Sequence, residues 1–225
     1  MKKLKIKKLS RYLKVTKGDK MKKFNFQEFT ERYKPSQTFI DKINSQDVDP
    51  IVILRKLISN NELYWGVWFM VHIMTRPQYL ACAIFAAEKA ISIFDNICDD
   101  RLMESIDAAK KVLNNDTELN RKNAWSAATI NGKVGFEYMV HIQWQDEDKC
   151  NLKLTKEMQA AWSTSWCARV AARFDIDIKN NKVAECAAEC IWAAGAATTL
   201  GEINTINKET IHNICNYGLS VLSRN

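Results

Sequence analysis

Apolar positions recur along this chain with the three-to-four-residue spacing of helices, and no segment alternates as a half-buried strand would. The densest stretch runs from Tyr64 to Leu113. It predicts three consecutive helices at the centre of the core. The first begins at Asn61 and carries Trp65, Trp68, Phe69, Val71 and Ile73; it is apolar nearly all round, the pattern of a helix buried on most sides. Thr75-Arg76-Pro77 ends it and opens the second, which extends to about Ile97 and packs through Tyr79, Ala83, Phe85, Ala86, Ala90, Ile93 and Phe94. The third is capped by Asp99 or Asp100, with Ile106, Ala109, Val112 and Leu113 as its inner stripe.

On the N-terminal side, Asn25 and Glu28 form a capping-box-like start to a short helix that Pro35 stops. Ser36 caps another, with Phe39, Ile40 and Ile43 on one face. Asp49-Pro50 is an N-cap followed by proline at the first helical position, and predicts a helix over 51–59. After the joint at 114–117 comes a long helix over 118–145. Gly132 and Gly135 predict a kink or a division into two halves, since interior glycine costs about 1 kcal/mol against alanine. Its inward side is assigned to Trp125, Ala128, Phe136, Met139, Val140 and Trp144. Helices over 156–174, with Thr155 as cap and carrying Met158, Trp162 and Trp166, over 181–200, closed by Gly201, and over 208–222 complete an all-α chain of about ten mostly antiparallel helices joined by short loops.

Composition supports this reading: 225 residues with only seven Gly and three Pro suit long helices rather than a turn-rich β fold. The charge is segregated. The whole chain is +7, residues 1–23 alone are +10, and residues 24–225 are therefore about −3. The domain organisation follows: a basic N-terminal extension, 1–23, and a helical domain, 24–225. Met21 is a second candidate start. The Lys2–Lys23 arm makes nucleic acid a possible partner, although the basic character belongs to the arm and not to the domain. Seven cysteines scattered through apolar runs behave as small hydrophobes, and with no signal-peptide pattern they point to a reducing cytoplasm. No apolar run reaches the length of a membrane span.

Candidate chemistry is sparse. Cys186 and Cys190 lie four apart on one helix, and His212 and Cys215 three apart on the next; packed face to face they would make a Cys₃His zinc site, the alternative being packing cysteines. Asp95, Asp99 and Asp100 cluster at a helix junction, where capping and carboxylate-bound metal are both readings. Glu88, among alanines, requires a partner if buried; Arg76, Arg101 and Arg121 are the candidates, with a substrate-binding carboxylate as the alternative. His72 and His141 lie on apolar faces and read as core or boundary residues. No Gly-x4-Gly-Lys-Ser/Thr or Gly-x-Gly-x-x-Gly loop is present. Trp144 and Trp162 flank a polar link containing Asp146, Glu147 and Asp148, an arrangement suited to a protein interface. No cofactor is implied.

Four matches and an aromatic helix carry a family resemblance. Ala86-Ala87-Glu88, Ile93-Phe94-Asp95, Asp99-Asp100-Arg101 and Ile106-Asp107-Ala108-Ala109, preceded by YWGVWFMVHIM, resemble the alanine-rich, all-helical immunity-protein family of bacterial polymorphic toxin systems, also found in phage genomes. The resemblance covers roughly 60–200. It implies a non-catalytic protein, of immunity or phage accessory type, that binds and neutralises a partner protein. Asp95, Asp99, Asp100 and Arg101 are the expected contacts. The chain departs from the family turn at Leu102 and Met103, and at Cys98 where proline is common. If that turn is the contact surface, its specificity differs here. The rival readings are nucleic-acid binding through the basic arm and a small-molecule or zinc site between the late helices.

Overall fold

Local capping chemistry sets where the first helices begin. The computed structural model describes residues 24–43, 49–92, 99–143, 152–172, 182–198 and 206–223. Asn25 Oδ1 accepts from the backbone N–H groups of Gln27 and Glu28 and starts α1 (Phe26–Tyr33). Lys34, in the left-handed region at φ 44°, closes it. Ser36 caps α2 (Gln37–Lys42), and Asp49 caps α3 (Pro50–Ser59) with Pro50 at its start. These satisfy N–H groups that have no partner within the helix.

Asn61 does not begin the next helix, as the apolar pattern suggested. It takes a left-handed turn at φ 58°, which asparagine tolerates, and α4 runs Leu63–Ile73. A capping box between Thr75 and Gln78 opens α5 (Arg76–Ile91). The helix is closed at Ser92, short of Ile97; residues 93–98 lie outside the described residues. Asp99 caps α6 (Asp100–Asn114), and Thr117 Oγ1 accepts from Asn120 N–H at the start of α7 (Glu118–Gln143). The set is completed by α8 (Leu152–Ala172), α9 (Lys182–Ala197) and α10 (Lys208–Leu222), the last capped by Asn207. Thr155 lies inside α8 rather than at its cap, and Gly201 falls outside the described residues. Among the described residues there are ten helices and no strand, and no helix is long and apolar enough to cross a membrane.

The centre of the bundle is α8, not the stretch from Tyr64 to Leu113. It packs against α5, α6, α7 and α9. Ala160, Ala161, Cys167, Ala168, Val170, Ala171 and Ala172 are all buried. A helix packed against four neighbours has no single apolar stripe, and one built from alanine lets its neighbours approach closely. Buried polar side chains lock these approaches. Asn131 Nδ2 donates to Ser105 Oγ at 2.7 Å and to Thr164 Oγ1 at 3.0 Å, joining α6, α7 and α8. Ser163 Oγ donates to Cys190 O at 3.0 Å, joining α8 to α9. The pairings Ala128–Ser165, Asn131–Thr164 and Gly135–Trp162 run in opposite senses along the two chains, so α7 and α8 are antiparallel.

A second cluster is aromatic. Phe29, Phe39, Phe69, Trp65, Trp68 and Tyr33 tile the surface where α1 and α2 meet α4. His72 closes it, 4.7 Å from Tyr33 and 4.4 Å from Trp68, with Nδ1 2.7 Å from the Trp68 carbonyl oxygen. Burial lowers its pKa; the Trp68 carbonyl opposes the shift and Arg32 adds to it. Folding therefore prefers neutral His72. Below the ordinary imidazole value of 6.5 the unfolded chain takes up the proton more readily, so this contribution is complete above that pH and is lost as pH falls through the lowered folded value. His72→Gln is expected to lose less urea stability than the wild type between about pH 7.5 and about pH 5.5. Equal losses would show that His72 does not carry the effect.

Candidate functional site, an aromatic groove between α7 and α8

The long helix α7 contains two candidate faces, and the bundle uses the smaller side chains. Ala124, Ala128, Asn131, Val134 and Gly135 point inward. Trp125 and Phe136, expected to be buried, instead stand 52% and 55% exposed. The reason is the neighbour: an alanine-rich α8 fits closely against alanine and glycine but leaves no room for a second row of aromatic rings. Gly132 and Gly135 serve the same approach and do not divide the helix, which is continuous from Glu118 to Gln143. A Cβ at Gly135 would stand 3.2 Å from the Trp162 indole, so the α7 backbone lies directly against that ring.

Displacing the large side chains outward creates an open groove of about 440 Å³ between α7 and α8. Trp125, Phe136 and Trp162 supply its aromatic lining, Ala128, Thr129 and Gly132 its small residues, and Lys133 and Arg169 its charge. The Arg169 guanidinium lies over the Trp166 ring, 4.7 Å from its centre. Trp162 is half-buried; Trp144 and the acidic residues 146–148, which complete the interface suggested beside the polar link, lie outside the described residues.

The junction before α6 lies beside this face. Asp99 Oδ1 accepts from the Arg101 backbone N–H at 3.0 Å, and its carboxylate takes the Arg101 guanidinium through Nε at 2.8 Å and Nη2 at 2.6 Å. The Arg101 side-chain hydrogen bond holds the Asp99 carboxyl below its ordinary pKa. Arg101 also reaches Glu137, the residue after Phe136, at 3.6 Å. Asp99 is thus committed to capping and pairing, whereas Asp100 and Arg101 are exposed. Asp95 falls outside the described residues.

Glu88 is in an ion pair, but a half-buried one, and its partner is Lys110 at 2.9 Å rather than Arg76, Arg101 or Arg121. Burial works against the Lys110 charge, but the hydrogen bond and negative charge of Glu88 outweigh it and raise the pKa. Arg76 instead binds Asp116 at 2.5 Å and donates to the Ala171 carbonyl at 2.9 Å.

Cys186, Cys190, His212 and Cys215 do not form a zinc site. Among the described residues no group of three or more His, Cys, Asp or Glu side chains is placed to hold a metal ion. Cys190 Sγ turns toward the carbonyl oxygens of Ala83 and Ser163, both at 3.3 Å. Burial pushes the Cys215 thiol up to about 12 and raises Cys82 and Cys167 further from thiolate character. Neutral buried thiols pack as small apolar groups and are poor ligands or nucleophiles.

The fold and groove define this chain as an all-helical bundle with a preformed aromatic and cationic surface. Comparisons with family models, curated proteins and solved structures found no match.

Proposed function

We propose that this chain is a non-catalytic helical protein that binds and neutralises a partner protein, of immunity or phage accessory type. The observation that carries the reading is the exposure of Trp125 and Phe136 on a groove whose walls are otherwise packed. Burying such a side chain is worth about 1.5–3 kcal/mol, so a partner that covers both gains a substantial part of its binding energy there. Tryptophan and arginine beside a pocket are typical anchors of protein interfaces. The resemblance at 60–200 supports the same class, and Asp100 and Arg101 supply a charged border beside α7.

Affinity capture from source-cell lysate tests this with the full chain and a Trp125→Ser/Phe136→Ser variant, each with and without nuclease. One stoichiometric protein is expected on the wild type, retained at least tenfold less by the variant and indifferent to nuclease. Its activity is expected to fall when the full chain is added. A captured protein insensitive to both substitutions would contradict the groove as the binding surface. Capture abolished by nuclease would favour nucleic-acid binding through the Lys2–Lys23 arm.

A further inference from the structure

We propose that the α7/α8 groove takes an acidic, apolar segment of the partner protein, an aromatic or large aliphatic side chain entering between Trp125, Phe136 and Trp162 while a neighbouring carboxylate meets Arg169 and Lys133. This rests on the reading of the chain as a protein-binding module and names the chemistry of its partner.

Charge matching around the groove carries the inference. On the exposed side of α7, Glu118 is paired with Lys122 at 2.7 Å, and Glu137 faces Arg101 at 3.6 Å. Both of these α7 carboxylates thus face a cation, although Glu137 shares Arg101 with Asp99. Lys133 and Arg169 line the groove itself, and among the described residues neither makes an ion pair. Arg169 is also held in place: Trp166 supports its guanidinium, and Nη2 stands 3.7 Å from where a Cβ on Gly132 would be. An arginine fixed at the edge of an aromatic slot offers a carboxylate a planar, preoriented pair of donors. Less ordering of the Arg169 side chain then opposes binding.

The same charges argue against other occupants. The chain's own segment 1–23 carries +10 and would be repelled. A second copy packed groove to groove would bring two Lys133–Arg169 pairs together without a counterion. Single-stranded nucleic acid also stacks on aromatic rings, but its binding surfaces carry a continuous track of cations. Here Glu118 and Glu137 interrupt α7, and residues 24–225 carry about −3 of the +7 total.

The test is selection of a random twelve-residue peptide display library on the full chain, on a Lys133→Glu/Arg169→Glu variant and on Phe136→Ser. The wild type is expected to enrich peptides combining Asp or Glu with Phe, Trp, Leu or Ile. The charge-reversed variant is expected to lose them and enrich Lys and Arg, and Phe136→Ser to lose enrichment. A synthetic copy of the leading peptide should bind at least tenfold more weakly to Arg169→Gln, and again when its acids are replaced by amides. Enrichment without acidic bias, or acidic peptides that bind the charge-reversed variant unchanged, would overturn the proposal. So would tighter binding of a single-stranded oligonucleotide that competes at Arg169, or a dimer in sedimentation that Phe136→Ser abolishes. The two readings fail separately. A lysate partner indifferent to Lys133→Glu/Arg169→Glu removes the groove chemistry and keeps the binding function. Acidic-peptide selectivity with no lysate partner keeps the groove chemistry and removes support for neutralisation.

Discussion

Replacing Phe39 by alanine is expected to destabilise the protein by about 3–5 kcal/mol, the range for emptying a buried phenylalanine site. Phe39 is fully buried on a helix of only six residues. Its ring meets Trp68 at 5.1 Å, Trp65 at 5.4 Å, Phe69 at 5.9 Å and Phe29 at 6.4 Å, so one truncation removes contacts from both α1 and α4. A six-residue helix cannot sustain itself without such packing, because helix nucleation in isolation is unfavourable. The substitution is therefore expected to loosen α1 and α2 before the rest of the bundle. Urea unfolding read by far-ultraviolet circular dichroism gives the total loss, and amide hydrogen exchange read by mass spectrometry gives its place: the α1 and α2 amides should lose protection at lower urea than those of α8. Phe39→Leu should recover most of the loss. A change below about 1 kcal/mol would mean that the ring cluster does not anchor these helices.

Gly218→Ala is expected to cost about 1–3 kcal/mol, although alanine is the better helix former. Gly218 lies inside α10, and a Cβ there would overlap the Met70 sulfur and stand 3.2 Å from Met74 Cε. Met70 is fully buried in α4 and cannot swing into solvent. The glycine penalty in a helix, about 1 kcal/mol relative to alanine, is thus outweighed by the contact it permits between α10 and α4. A double-mutant cycle with Met70→Ala separates the two effects. Met70→Ala alone should cost about 2–5 kcal/mol through the space it leaves. Combined with Gly218→Ala the loss should be smaller than the sum, because the added methyl occupies part of that space. Additive losses would refute steric coupling between the two positions.

Much of the candidate site was hidden because a sequence pattern identifies apolar residues without stating which neighbour they meet. On α7 the aromatic row of Trp125 and Phe136 and the small row of Ala124, Ala128 and Gly135 are both helical in spacing. The aromatic row carries the larger hydrophobic signal, yet the small row is buried. The clue available was the pairing of Gly132 and Gly135 with the alanines of 160–172, which together describe a close helix contact rather than a break. Trp162 was legible as partly exposed from its position beside a polar link. Arg169 was not, since its importance depends on lying over Trp166 and beside Gly132. Glu88 illustrates the same division: its need for a partner follows from its alanine surroundings, but Lys110 is chosen by the packing of α6 on α5.

By itself, the sequence determined the helical class and most helix starts, because caps, proline placement and helical periodicity act within a few residues of one another. Only the tertiary structure decided that α8 is the hub, that the late cysteines do not converge on a metal, and that α7 turns its aromatic rings outward. Those outcomes depend on how closely alanine-rich surfaces approach across distant segments, and a rotation of one helix by a fraction of a turn exchanges a buried face for an exposed one.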